Sequence, residues 1–170
     1  NLPSLKELTM EDSELETLPE SFGNLSSLKG FNIVNSNLRK LPESIGRLRC
    51  IWIKIVEGEL GELPESIGKI TTLKSLYLEK NRLKKLPDSI GNLRNLERLQ
   101  LHRNQLESVS ETIRNLKKLK FLSLAKNNLT EFPKDLLELE NLEHLSLDEN
   151  QIPSIPKEIY KHKRLKDLYV

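Results

Sequence analysis

The chain repeats itself every 23 residues. Ile70 to Asn92 reads ITTLKSLYLEKNRLKKLPDSIGN, Leu93 to Asn115 reads LRNLERLQLHRNQLESVSETIRN, and Leu116 to Glu138 reads LKKLKFLSLAKNNLTEFPKDLLE. A short fixed period calls for stacked units, each burying its apolar face on its neighbours, and not for one central core. Function is then to be sought on a long repeated surface.

Seven full units begin at Leu2, Leu25, Leu48, Ile70, Leu93, Leu116 and Leu139, with a partial unit from His162, so residues 1–170 read as one repeat domain. The third unit, Leu48 to Lys69, has 22 residues and the others 23. The shared pattern is LxxLxxLxLxxNxLxxLPxxIxx. Its LxxLxL part alternates with period two and reads as a short strand. In the fourth unit Leu73, Leu76 and Leu78 face inward while Ser75 and Tyr77 face outward. Equivalent strands of successive units lie parallel, about 4.8 Å apart. Asn81, Asn104, Asn127 and Asn150 follow the strands. A buried Asn carries donors and acceptors, so these four are expected to form a structural ladder that satisfies turn backbone. In the second half, Leu86, Ile90 and Leu93 have the spacing of a short helical turn, with Pro87 tolerated at its start. A strand on one side and a wider turn on the other make the stack curve.

These residues, in register along essentially the whole chain, resemble the leucine-rich repeat family, of the 23-residue type with LPxxIxxLxxLxxLxLxxNxL. Leptospiral, Ras-suppressor-like and Roco-type proteins carry similar repeats. The resemblance implies an α/β fold: a right-handed solenoid or horseshoe with a parallel sheet on the concave face and short helical or 3-10 turns on the convex face. It also implies protein recognition through that sheet.

Departures from the pattern are informative. The Asn position holds Ser13, Ser36 and Gly58 in the first three units, so the ladder should be intact only from the fourth. The missing residue of the third unit falls around Ile51 and Trp52 and predicts a local kink or altered strand register. Ser110 stands at the Pro position of the fifth unit, and His162 at a repeat Leu position. The chain opens from Asn1 directly into a repeat without a leader-like segment or cap. Leu2, Leu5 and Leu8 would then present raw core, which predicts membership of a longer protein and weak self-association through uncapped ends.

Outward positions of the strands form columns on the concave face. The first runs through Glu7, Gly30, Trp52, Ser75, Arg98, Phe121, His144 and Asp167. The second includes Lys54 and Tyr77, the third Val34, Val56 and His102, and the fourth Lys80 and Arg103. The middle of the face thus combines apolar and aromatic groups with cations, the composition of binding hot spots. Trp52, Lys54, Tyr77, Arg98, His102, Arg103 and Phe121 are the candidate partner-binding residues. Trp52 either faces the concave side or fills the core gap left by the missing residue.

Other classes are disfavoured. The net charge is +2 with both signs interspersed, and nucleic-acid binders carry a clustered basic footprint. No apolar run approaches the roughly 20 residues of a membrane span. The single cysteine, Cys50, excludes an intrachain disulfide and reads as a buried structural thiol. His102 and His144 lie two repeats apart in different columns, too far to share a metal. No nucleotide-binding, nucleophile-elbow or zinc-protease motif occurs, so neither catalytic residue, metal nor cofactor is expected. The sequons at Asn24 and Asn128 overlap core-pattern positions.

The reading is a non-enzymatic module that binds a partner protein on its concave sheet, with no nucleic-acid partner and no membrane insertion. One alternative is the recognition segment of a larger enzyme, such as a GTPase or a ubiquitin-ligase effector. Another is a secreted or cell-surface bacterial adhesin. The cysteine usage also accommodates a cytoplasmic setting.

Overall fold

The computed structural model describes residues 2–170; Asn1, where the sequence reading placed the entry into the first repeat, lies outside the described residues. Eight strands run through the chain: β1 (Glu7–Ser13), β2 (Gly30–Ser36), β3 (Trp52–Gly58), β4 (Ser75–Tyr77), β5 (Arg98–Gln100), β6 (Phe121–Ser123), β7 (His144–Ser146) and β8 (Asp167–Tyr169). They form one parallel sheet in chain order. Between successive strands the chain makes one 3-10 turn, at Glu20–Asn24, Glu43–Arg47, Glu65–Lys69, Asp88–Asn92, Glu111–Asn115, Lys134–Glu138 and Lys157–Lys161. The result is a horseshoe-like solenoid with the sheet on its inner side and the turns on its outer side, the architecture that the repeat pattern implied.

One apolar core runs the length of the stack between sheet and turns. Leu76, Leu99 and Leu122 enter it from the strands and Ile67, Ile90 and Ile113 from the turns, each almost wholly buried. Prolines open most turns, offering no side-chain acceptor for the first free N–H groups. In two turns the preceding unit supplies it. Glu20 accepts from the Glu43 and Ser44 N–H groups at 3.2 and 3.1 Å, and Glu65 accepts from the Ser89 N–H at 3.1 Å. Where Ser110 replaces the proline, its own hydroxyl accepts from the Thr112 N–H.

The missing residue of the third unit does not disturb the sheet, contrary to the expected kink or register change. Gly30 pairs with Trp52 and Trp52 with Ser75, in unbroken register. The deletion lies between Leu48 and Cys50, before the strand and not at Ile51 or Trp52. The residue closing the turn has ψ near 63° in Ile70 and 55° in Leu93, but 158° in Leu48. Leu48 runs straight on where the other units make an extra bend. Cys50 thereby reaches the core position held by Leu28 and Leu73, and all three are fully buried.

Burial pushes the Cys50 thiol up to about 12, with Lys29 opposing weakly. In the folded protein it should resist alkylation at pH 8, and in denaturant it should react at the rate of a free thiol; rapid native labelling would contradict its packing. A raised folded pKa contributes stability that is complete below the unfolded value of about 8.5. That contribution is lost as pH climbs from there toward about 12.

The residue at the Asn position sets how each strand ends. In the first three units Ser13, Ser36 and Gly58 are small enough to stay in register with one another, and β1–β3 run for seven residues. From the fourth unit the strands have three residues, and Asn81, Asn104, Asn127 and Asn150 turn inward. The Asn104 side-chain carbonyl accepts from the Leu83 N–H at 3.0 Å, and its amide donates to the Leu78 and Leu101 carbonyls at 2.9 and 3.0 Å. Asn81 reaches back into the third unit in the same way, to the Leu60 N–H and the Ile55 carbonyl. Gly58 leaves room for it, since a Cβ there would stand 3.1 Å from Asn81 Oδ1.

Candidate functional site

The sheet register places five of the seven candidate residues on the concave face. Trp52, Arg98 and Phe121 share one column, Lys54 and Tyr77 the next, and His102 and Arg103 lie beyond β5 toward the rim. Trp52 faces the concave side and not the core, but it is half-buried. Its indole lies against the Gly30 backbone, where a Cβ would come within 2.1 Å of the ring. Val56 keeps the outward register of Val34 but is covered there, at 4% exposure, and is not part of the core cluster that holds Ile53 and Ile55.

In the C-terminal half, the first column is a stack of planar groups. The Arg98 guanidinium carbon lies 3.7 Å above the Phe121 ring centroid. Phe121 stacks on His144 at 4.2 Å between centroids and 6° between planes. His144 Nδ1 in turn meets the Asp167 carboxylate. Four successive strands thus present cation, ring, ring and carboxylate in one row. Parallel pairing about 4.8 Å apart sets this spacing and lets flat side chains at equivalent positions lie face to face. Beside the row, Gln100, Ser123, Ser146 and Tyr169 bound a shallow hollow over Phe121 and His144. His144, Asp167, Gln100 and Tyr169 were not among the sequence candidates. Their signal was present, since His144 and Asp167 continue the column of Arg98 and Phe121.

The rim column is backbone-strained. Asp12, Asn35, Glu57, Lys80, Arg103, Lys126 and Glu149 all have φ between 50° and 57°. Each non-glycine residue in this left-handed region costs on the order of 1 kcal/mol, held by the turn that follows it. Glu57 pairs with Lys80 at 2.6 Å, and Lys126 with Glu149 at 2.7 Å. Arg103, between them, is exposed and has no ion-pair partner among the described residues. The hydrogen bond and charge of Lys80 hold the Glu57 carboxyl below its ordinary range. A lowered folded pKa favours the folded state above the ordinary carboxylate value and loses that effect as pH falls below it. On so exposed a pair the effect is small.

Among the described residues no three His, Cys, Asp or Glu side chains come together as metal ligands, and no helix is long and apolar enough to cross a membrane.

Comparison with known proteins places this geometry. A family model described as leucine rich repeat matches residues 71–129, and a second of the same description matches residues 141–162. A Leptospira interrogans leucine-rich repeat protein, LIC12759, is 34% identical, with a TM-score of 0.90 over 99% of this chain and 46% of that one. The plant peptide hormone receptor RGFR1, solved with RGF2, is 31% identical, with a TM-score of 0.83 over 99% of this chain and 29% of that one. The ectodomain of the Arabidopsis thaliana receptor kinase GASSHO1/SCHENGEN3, solved with CASPARIAN STRIP INTEGRITY FACTOR 2, is 30% identical, with a TM-score of 0.76 over 96% and 20%. The chain spans less than half the length of each of these structures. No curated protein matches it.

Proposed function

This chain is a leucine-rich repeat protein, and we propose that residues 1–170 act as one recognition domain binding a partner protein across the concave sheet. The observation that carries this reading is the stacked row Arg98, Phe121, His144 and Asp167 on four successive strands of the concave sheet. These side chains are fixed by one another before any partner arrives, so little ordering entropy opposes binding. Arg and aromatic groups at the centre of a face are also those whose truncation costs most. Two plant receptors of similar fold were solved with a peptide hormone or factor, which supports a recognition role for this fold. The role is binding without a catalytic step, with charge complementarity from Lys54, Arg98 and Arg103 and with His102 beside them.

The test is capture from cell extract by the wild-type chain beside a Tyr77→Ala, Arg98→Ala, Phe121→Ala triple variant of verified fold. A partner held by the wild type should bind the variant at least tenfold more weakly, since each anchor is worth about 1–2 kcal/mol. A partner held equally by both would place recognition elsewhere.

A further inference from the structure

The residue just before each strand forms a row along the edge of the concave face: Lys6, Lys29, Ile51, Lys74, Glu97, Lys120, Glu143 and Lys166. From Glu97 onward this row neutralises itself. Lys120 pairs with Glu97 at 2.9 Å and Lys166 with Glu143 at 2.6 Å. Both carboxyls are held below the ordinary range, chiefly by those lysine hydrogen bonds. The third unit breaks the pattern. Ile51 stands where every other unit carries a charge, and it is 42% exposed. The next residue is Trp52, whose indole lies over Gly30 on the concave side.

The flanks of this apolar pair are all cationic. The Lys29 carbonyl accepts from the Ile51 N–H at 2.6 Å and the Ile51 carbonyl accepts from the Lys74 N–H at 2.7 Å, so both lysines border Ile51 directly. Arg49 lies two residues before it and Lys54 three after. Lys29, Arg49 and Lys74 are exposed, and none of the four has an ion-pair partner among the described residues. Single exposed aliphatics are ordinary. Here one replaces a charge in a periodic row, adjoins the only tryptophan and sits among cations that the rest of the row would have neutralised.

We propose that the Ile51–Trp52 edge docks an acidic segment of a partner protein, with an aliphatic or aromatic side chain seated on Ile51 and Trp52 and flanking Asp or Glu residues on Lys29, Lys54 and Lys74. Charge complementarity selects this occupant: Lys29, Lys54 and Lys74 would repel a basic segment and gain nothing from a neutral one. The carboxylates near Lys54 and Lys74, Glu57 and Glu97, are already paired with Lys80 and Lys120. The proposal rests on the reading that the partner is a protein; it draws on Trp52 and Lys54 of the concave face but is centred on Ile51, outside the Arg98–Phe121–His144 row.

A random dodecamer peptide library displayed on phage and selected on the full chain tests it. The expected result is enrichment of sequences with Asp or Glu flanking a large apolar residue. A synthetic peptide of that consensus should shift Trp52 emission. Its affinity should fall about tenfold or more in Ile51→Lys and, separately, in a Lys29→Glu, Lys74→Glu variant, while Phe121→Ala leaves it unchanged. Enrichment of neutral or basic sequences, no enrichment, or equal binding to Ile51→Lys would overturn the proposal. Acidic peptides that lose affinity in Phe121→Ala but not in Ile51→Lys would also overturn it while leaving the concave-row reading intact. Binding to anionic lipid vesicles equal in wild type and Ile51→Lys, with no acidic peptide selected, would assign the edge to a plain electrostatic surface.

Discussion

Asn104→Ala is expected to destabilise the protein by about 3 kcal/mol in chemical denaturation. Asn104 is 8% exposed and satisfies three backbone groups. The carbonyls of Leu78 and Leu101 each accept from two ladder residues, Leu78 from Asn81 and Asn104 and Leu101 from Asn104 and Asn127. They keep one donor when Asn104 is removed. The Leu83 N–H keeps none, and an orphaned buried donor costs about 1–3 kcal/mol. The two lost carbonyl bonds add on the order of 1 kcal/mol together. Ser36→Ala is the matched control, because the Ser36 hydroxyl accepts only one long bond, from the Leu38 N–H at 3.5 Å. Its loss should stay under about 1 kcal/mol. Equal losses in the two variants would mean that the ladder does not hold the C-terminal units together.

Gly68→Ala should cost about 2–3 kcal/mol, measured the same way. Each of the first four 3-10 turns rests on the backbone of the next through a glycine. A Cβ on Gly68 would stand 2.4 Å from the Ser89 carbonyl oxygen, and one on Gly91 2.5 Å from that of Thr112. The obstacle is main chain, not the end of a movable side chain, so the turns must separate and open the core beneath them. Gly61→Ala is the control: a Cβ there meets nothing within 4 Å, and the change should be neutral or slightly stabilising. A Gly68→Ala protein as stable as Gly61→Ala would show that the outer turns tolerate a wider spacing.

The glycine contact illustrates where reading the chain stops. Gly23, Gly46, Gly68 and Gly91 recur visibly in the repeat, but the reason lies in how close one turn sits to the next. The apolar period, the strand positions and the columns were legible because period-two alternation and a fixed repeat determine them. Trp52 stayed open between core and surface because the missing residue could be placed on either side of it. Only the extended backbone of Leu48 shows that the shortening is absorbed before Cys50. Ser13, Ser36 and Gly58 were visible as exceptions, yet the long strands they permit depend on these small residues pairing with one another. Within the candidate site the columns were legible and the stack was not. Phe121, His144 and Asp167 shared a column in the sequence; their orientation face to face is a property of side-chain packing.

Hydrogen–deuterium exchange of the chain, free and in complex with the partner captured by the wild type, tests the central claim most directly. Recognition across the concave sheet predicts slowed exchange concentrated in β3 to β7, with the 3-10 turns Asp88–Asn92 and Glu111–Asn115 unchanged. Slowed exchange in those outer turns, with β3 to β7 unaltered, would contradict it.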